Sequence, residues 1–332
     1  MATPRDDGFA MPPEWAEHER TVMAWPARAE LWGGTLENAK REYAGVANAI
    51  AAFEPLTMVA RPGADAAEAR AALDGAAEVV ELPLDDSWVR DNGPIVLRDG
   101  AGRRAAAVFA FNAWGERFLP YDEDARLAGR LAGHLGLPAY EAGMVLEGGS
   151  VLVDGTGVVL TTEQCLLHPN RNPTLTREDI ERRLLDFLGA EQVVWLRSGL
   201  VEDRDTDGHV DLIAAFTEPG RLLLQQAPVV DPNFDRCAEN LARATAAGLD
   251  VIALEHLPRT QVAGEDVAVP YLNLYICNGG VIVPTCGAET DPDALRVIGA
   301  AFPGREVVGV PGAVLAYGGG GPHCITQQVP VA

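Results

Sequence analysis

One order of elements recurs along this chain of 332 residues: strand, tight turn, strand, helix, strand. Such self-similarity restricts the fold to an array of one supersecondary unit, each copy burying the face its neighbour exposes. Gly149 to Asp154 reads as a strand, Gly155-Thr156-Gly157 as a turn and Val158 to Thr162 as the hairpin partner, because β-branched runs flank turn-forming residues. A helix follows, with Thr176 as N-cap, Asp179 three residues on, Ile180, Leu184 and Leu188 on one face, and Gly189 as its stop. Val193 to Leu196 returns as a strand. The same grammar runs through His209 to Phe216, Glu218-Pro219-Gly220, Arg221 to Gln225, a helix opened by Asp231-Pro232, and Val251 to Leu254. It recurs in Tyr271 to Cys277, Asn278-Gly279-Gly280, Val281 to Pro284, a helix opened by Asp291-Pro292, and Val307 to Val310. Upstream, Pro94 to Arg98, Asp99-Gly100, Ala105 to Phe111 and the Leu127, Leu131, Leu135 helix make another unit.

Pieces of a fifth unit sit towards the two ends. Cys324 to Val329 and Thr21 to Trp25 read as strands, Leu36, Tyr43, Ile50 and Phe53 mark an amphipathic helix, and Leu56 to Ala60 closes the unit. Pairing the two terminal strands in one sheet closes a ring and leaves no end unit to fray. The expected fold is α/β, a ring of five ββαβ units with pseudo-fivefold symmetry, in one catalytic domain over residues 1–332. An open α/β sheet also fits the order of elements.

Acidic side chains number 48 against 26 basic ones, a formal charge of -22. This balance repels phosphate backbones and anionic lipid and favours small cations, so no nucleic-acid or membrane partner is expected. Apolar stretches are broken before the roughly 20 residues a membrane span needs, and the N-terminus lacks a basic-then-apolar signal, so a cytoplasmic location is expected. The five cysteines form no C-x-x-C pair, which suggests neither a disulfide framework nor a zinc clip. Cys165, Cys237, Cys277 and Cys286 read as packing thiols. No metal and no cofactor are expected.

Charged and nucleophilic residues gather where one strand of each unit begins: Asp91, Glu147, His209 with Asp211, and Cys324. On a ring these starts converge. A guanidinium is planar, cationic and rich in donors, so a closed pocket holds it with carboxylates in bidentate geometry, a role that suits Asp91 and Asp211. A thiolate can then attack its central carbon while an imidazole protonates departing ammonia and activates water against the thiouronium intermediate. Cys324 and His209 supply these groups, with Glu147 supporting the imidazolium. Plainer readings stand beside each: Glu147-Gly148-Gly149 as a turn, Asp91 as an ion-pair partner of Arg90, His209 as a satisfied core histidine, and Gly318 to Gly321 as filler. The glycines beside Cys324, Gly320 among them, also let backbone amides approach a ligand.

With those residues in view, the chain resembles the agmatine deiminase family, also described as the porphyromonas-type peptidylarginine deiminase family. The resemblance is carried by Met11-Pro12-Pro13-Glu14-Trp15, Met23-Ala24-Trp25-Pro26, Trp88-Val89-Arg90-Asp91-Asn92-Gly93-Pro94 and Phe111-Asn112-Ala113-Trp114-Gly115. It continues in Leu146-Glu147-Gly148-Gly149-Ser150, Leu160-Thr161-Thr162-Glu163, Asn170-Arg171-Asn172-Pro173, Gly208-His209-Val210-Asp211, Gly319-Gly320 and His323-Cys324-Ile325-Thr326-Gln327-Gln328. It implies the five-bladed α/β propeller, or pentein, of guanidine-modifying enzymes. It implies Cys324 as nucleophile, His209 as acid/base, Glu147 as its partner, Asp91 and Asp211 as guanidinium ligands, and Trp88 lining the site through cation–π contact. It also implies hydrolysis of agmatine to N-carbamoylputrescine in putrescine biosynthesis, and a homo-oligomer, a dimer.

Agmatine ends in an amine where arginine carries a carboxylate, so an acidic residue at the pocket mouth selects the former. Asp205 stands where the family places that carboxylate, usually a glutamate; Asp203 and Asp207 are alternatives, as is a solvated acidic turn. Two further departures are Leu212, where many relatives have Asn, and a short stretch from Leu254 to Tyr271. A shorter loop opens the pocket to larger guanidines, which keeps peptidylarginine deimination as a second reading. A non-catalytic guanidinium-binding protein is a third, although binding alone needs no thiol.

Overall fold

The computed structural model describes residues 2–332. Five sheets in it share one connectivity: an antiparallel hairpin, then a helix, then a strand parallel to the second. The helices that make these crossovers are Leu127–His134, Arg177–Leu188, Phe234–Ala246, Asp291–Ala301 and Leu36–Ala51. In the sheet built from both ends of the chain, Thr326–Pro330 runs antiparallel to His18–Ala24, with Thr326 opposite Met23 and Gln328 opposite Thr21.

Local chemistry explains why the elements fall where they do. The Arg177–Leu188 helix opens with a reciprocal capping box between Thr176 and Asp179 and buries Ile180, Leu184 and Leu188. Gly189 ends it in the left-handed region at φ 65°, and a Cβ there would meet the Phe9 carbonyl oxygen at 2.5 Å, so only glycine fits. Leu36–Ala51 buries Ala39, Tyr43, Val46, Ala47 and Ile50 along one face, and this stripe shares a core with Trp25, Trp32 and Tyr275. No described helix is long and apolar enough to cross a membrane.

The first strand of several units begins later than the sequence pattern suggests: at Leu152 instead of Gly149, Ala214 instead of His209, Tyr275 instead of Tyr271, and Thr326 instead of Cys324. The residues before each strand form a tight turn, closed by an i to i+3 backbone bond in all five units. The donors and acceptors are Asp91 to Trp88, Ser150 to Glu147, Ile213 to Val210, Asn273 to Pro270 and Thr326 to His323. His209 and Asp211 therefore do not share a strand face; Asp211 lies in the short helical turn Val210–Leu212, with His209 just before it.

Other elements escaped the sequence pattern. Ala64–Leu73 and Glu78–Glu81 extend one sheet by a helix and a parallel strand, and Phe9–Ala10 adds an antiparallel edge to another. The short Leu254 to Tyr271 stretch is not a bare loop. It holds the hairpin Arg259–Val262 and Glu265–Ala268, turned by Ala263 and Gly264 at φ 52° and 86°.

Glu54 ties the two-ended sheet to its neighbour. It accepts from His18 Nδ1 at 3.0 Å, from the Asn278 amide at 2.6 Å and from the Thr21 hydroxyl, all in a buried setting. Removing it strands several polar groups away from water. Glu54→Ala is expected to lower unfolding free energy by about 3 kcal/mol in urea titrations, with Glu54→Gln losing less.

Candidate active site

The five turns carry the polar residues to one place. Asp91 lies in Val89–Asn92, Glu147 just before Gly148–Ser150, His209 and Asp211 at Val210–Leu212, Asn273 in the turn before Tyr275, and Cys324 in the turn before Thr326. Gly149 marks their convergence: a Cβ on it would fall 2.8 Å from Asp211 Oδ2, 2.8 Å from His209 Nδ1 and 2.9 Å from Asp91 Oδ1. The missing side chain is the space in which these three groups face one another.

Each carboxylate has its own environment. Asp91 accepts from the Gly149 amide at 2.9 Å and from Trp114 Nε1 at 3.0 Å. Burial pushes its pKa up to about 6; His209 opposes that rise, while Asp211 and Glu147 add to it. Burial acts most strongly on Glu147, but the Arg171 guanidinium, donating to Oε1 at 2.6 Å, and His209 together outweigh it and hold the carboxyl below the usual range. Asp211 is likewise disfavoured by burial and lowered by His323, whose Nδ1 lies 2.8 Å from Oδ2. Its Oδ1 is buried without a hydrogen-bond partner among the described residues. The plain reading of Asp91 and Arg90 as a surface ion pair fails, because both are buried and Arg90 donates to Gln328 Oε1 at 2.8 Å.

His209 is fully buried between acids, Nδ1 3.9 Å from Asp91 Oδ2 and Nε2 3.7 Å from Glu147 Oε2. Burial disfavours its charge, yet Asp91, Cys165 and Glu147 outweigh that and raise the pKa well above the ordinary imidazole value. The flanking acids thus favour its imidazolium form, which can give a proton. The Cys324 thiol is 2% exposed and donates to Asp211 Oδ2 at 3.3 Å. Burial, then Asp211 and Asp91, push its pKa well up, which favours the thiol over the thiolate.

The cleft leading to Cys324 is lined by Trp88, Asp91, Trp114, Phe118, Asp205 and Gly319, among others. Trp88 stacks on Trp32 with ring centroids 5.8 Å apart. Asp205 stands where this cleft meets an outer one, walled by the Glu265–Ala268 strand. The alternatives Asp203 and Asp207 are occupied. Asp203 accepts from the amides of Thr206 and Gly208, whereas Asp207 accepts from Arg171 and Asn170.

Two expectations need correction. The amides of Gly318, Gly319 and Gly320 do not face a ligand, since they donate to the Val314, Ala316 and Leu315 carbonyls. Gly320 matters through its bare Cα, because a Cβ would meet Cys324 Sγ and Trp88 at 2.8 Å. Cys165 is more than a packing thiol: its sulfur, His209 and Glu147 bring ligand-type atoms within 4.8 Å of one another, a cluster that spacing along the chain conceals.

Asn273, Arg171, Trp114 and Gly149 were not singled out by residue reasoning. Asn273 Oδ1 accepts from the Cys324 amide at 3.4 Å and its Nδ2 donates to the Asp211 carbonyl at 3.3 Å, so the fourth unit braces two others. Its position at the start of a unit was the available signal. Gly149→Ala is expected to cut kcat roughly 100-fold and to lower the thermal midpoint as well, because the new methyl displaces buried charged groups by an ångström or so.

The Porphyromonas-type peptidyl-arginine deiminase model matches residues 10–330. An agmatine deiminase of Stutzerimonas stutzeri (strain A1501) is 40% identical over 360 residues, covering 99% of this chain and 97% of that protein. One from Pseudomonas aeruginosa (strain LESB58) is 39% identical over 365 residues, with 99% and 97% covered. The structure of agmatine deiminase of Enterococcus faecalis superposes with a TM-score of 0.94 at 34% identity, over 100% of this chain and 98% of that one. A substrate-bound agmatine deiminase variant from C. jejuni does so at 0.89 and 25% identity, over 97% and 96%. By length matched and by identity, the chain belongs to the agmatine deiminase family, within the Porphyromonas-type peptidyl-arginine deiminases.

Proposed function

We propose that this chain hydrolyses agmatine to N-carbamoylputrescine and ammonia, working as one catalytic domain over residues 1–332 with the five units as blades around the site. The observation that carries the reading is a buried thiol, Cys324, facing the carboxylates Asp91 and Asp211 in a cleft whose mouth bears Asp205. The relatives named agmatine deiminases support it. A cytoplasmic dimer is the accompanying assignment.

The guanidinium docks between Asp91 and Asp211, with Trp88 against its face, and its charge favours loss of the Cys324 thiol proton to solvent water, from which the thiol is reprotonated once product leaves. The thiolate adds to the central carbon, and the C–N bond to the leaving nitrogen breaks as His209 protonates it to ammonia. That leaves a cationic thiouronium on Cys324 and a neutral imidazole. His209 then takes a proton from water as the oxygen adds to the same carbon. Collapse breaks the C–S bond, restores thiolate and imidazolium, and yields the urea product with one proton passed to ammonia. Glu147, anchored by Arg171, stabilises each charged state of the imidazole.

At the far end of the substrate, Asp205 attracts an amine and repels the carboxylate of free arginine. The outer cleft supports the second reading, arginine in a peptide, because it offers room beyond Asp205 for a chain.

Ammonia release with product mass, on agmatine, arginine and a peptide ending in arginine, separates these readings. Turnover of agmatine alone is expected; citrulline products would replace the proposal with the second reading. Cys324→Ala is expected to abolish turnover with the fold intact by circular dichroism. Asp205→Ala is expected to raise KM for agmatine roughly 10-fold with a smaller change in kcat.

The pH dependence has a definite sign. Burial raises Asp91 from 3.8 to about 6, so its carboxylate form is lost as pH falls through that value, and guanidinium binding with it. The acid limb of kcat/KM is therefore expected near pH 6, and a limb near 4 would contradict the assignment.

A further inference from the structure

A second buried histidine is wired to the nucleophile and the steps above leave it idle. His323 is 2% exposed and both ring nitrogens are engaged by carboxylates: Nδ1 lies 2.8 Å from Asp211 Oδ2 and Nε2 2.7 Å from Glu14 Oε1. The same Asp211 oxygen accepts the Cys324 thiol. Glu14, 7% exposed, comes from the segment ahead of the first long strand, remote in sequence from every other group at the site. Arg90 braces the assembly, its Nε donating to the His323 carbonyl at 3.3 Å and its Nη1 lying 3.6 Å from Glu14 Oε1.

Two carboxylates each accept one hydrogen from an imidazole only if both nitrogens carry protons, so the geometry makes His323 an imidazolium between Glu14 and Asp211. The consequence for Asp211 is specific. Oδ2 is saturated by the imidazolium and the thiol, while Oδ1 has no partner and is buried. A carboxylate pinned at one oxygen cannot rotate, and its free oxygen is held ready for a donor. We propose that His323 is a positioning residue for the deiminase reaction: clamped by Glu14, it fixes Asp211 with Oδ1 presented to the guanidinium. This rests on the functional reading above.

The charged and titratable groups facing this assembly are Glu14, His18, Arg90, Cys324, Asp91 and His209. His323 and His209 hold Asp211 below the ordinary carboxylate range against its burial. Without His323, burial and the nearby acids prevail, and Asp211 takes up a proton at higher pH.

The test uses His323→Phe, which removes both donors; His323→Asn, whose side-chain N–H reaches the Nδ1 position; and Glu14→Gln, which neutralises the far clamp without emptying it. Kinetics on agmatine across pH are compared with melting temperature for each. His323→Phe is expected to raise KM at least 10-fold with a smaller loss in kcat, and to move the acid limb of kcat/KM upward. Asn should recover part of the KM, and Glu14→Gln should shift the limb the same way by less. A folded Phe variant with wild-type KM and an unmoved limb would overturn the proposal, as would an Asn variant no better than Phe. A wild-type chain inert on agmatine would count against the functional reading alone. In that case the His323 imidazole protons, expected as low-field NMR resonances lost in His323→Asn, decide the clamp without turnover, and their absence would refute it.

Discussion

Three carboxylates confined around one imidazole set the terms for the rest of the molecule. Asp91, Glu147 and Asp211 are each at most 5% exposed, a placement that costs several kcal/mol per ion unless each is compensated. The compensation is uneven by construction. Glu147 has Arg171, Asp211 has His323, and both are held ionised; Asp91 has only an amide, an indole N–H and the shared His209, and its pKa rises. In the reaction proposed above, the guanidinium completes what Asp91 lacks. Under that proposal, binding energy is directed at the oxygen atoms beside the thiol, where a cation also favours the thiolate.

Residue pattern and physical chemistry reached much of this. Periodicity exposed the units because β-branched runs, Gly-rich turns and i, i+4 apolar spacing are local properties, and the Thr176 to Asp179 cap was readable for the same reason. The placement of Asp91, Glu147, His209 and Cys324 at unit starts followed from the repeat. The turns before those strands were not readable as turns. His209-Val210-Asp211 alternates like a strand, and the Asp203 carboxylate, accepting from the Gly208 and His209 amides, with the Thr206 hydroxyl accepting from the His209 amide as well, bends it away.

Long-range partners lay beyond local reading. Arg171 reaches Glu147 across 24 positions and Glu14 reaches His323 across 309, and no spacing rule connects such pairs. The hairpin inside Leu254 to Tyr271 was missed because its strands are short, polar and half exposed. Asn273 was overlooked because an amide announces no chemistry, although its unit required some residue there.

The repeated pre-strand turn separates two kinds of selection. Strands and crossover helices carry the apolar packing, while each turn holds one or two side chains up to the centre on a backbone bond that is indifferent to their identity. A site made this way can be revised peg by peg, exchanging an acid for an amide or a thiol for a hydroxyl, with the scaffold registering little of the change. One architecture can therefore diversify its chemistry over evolution without first surrendering its stability.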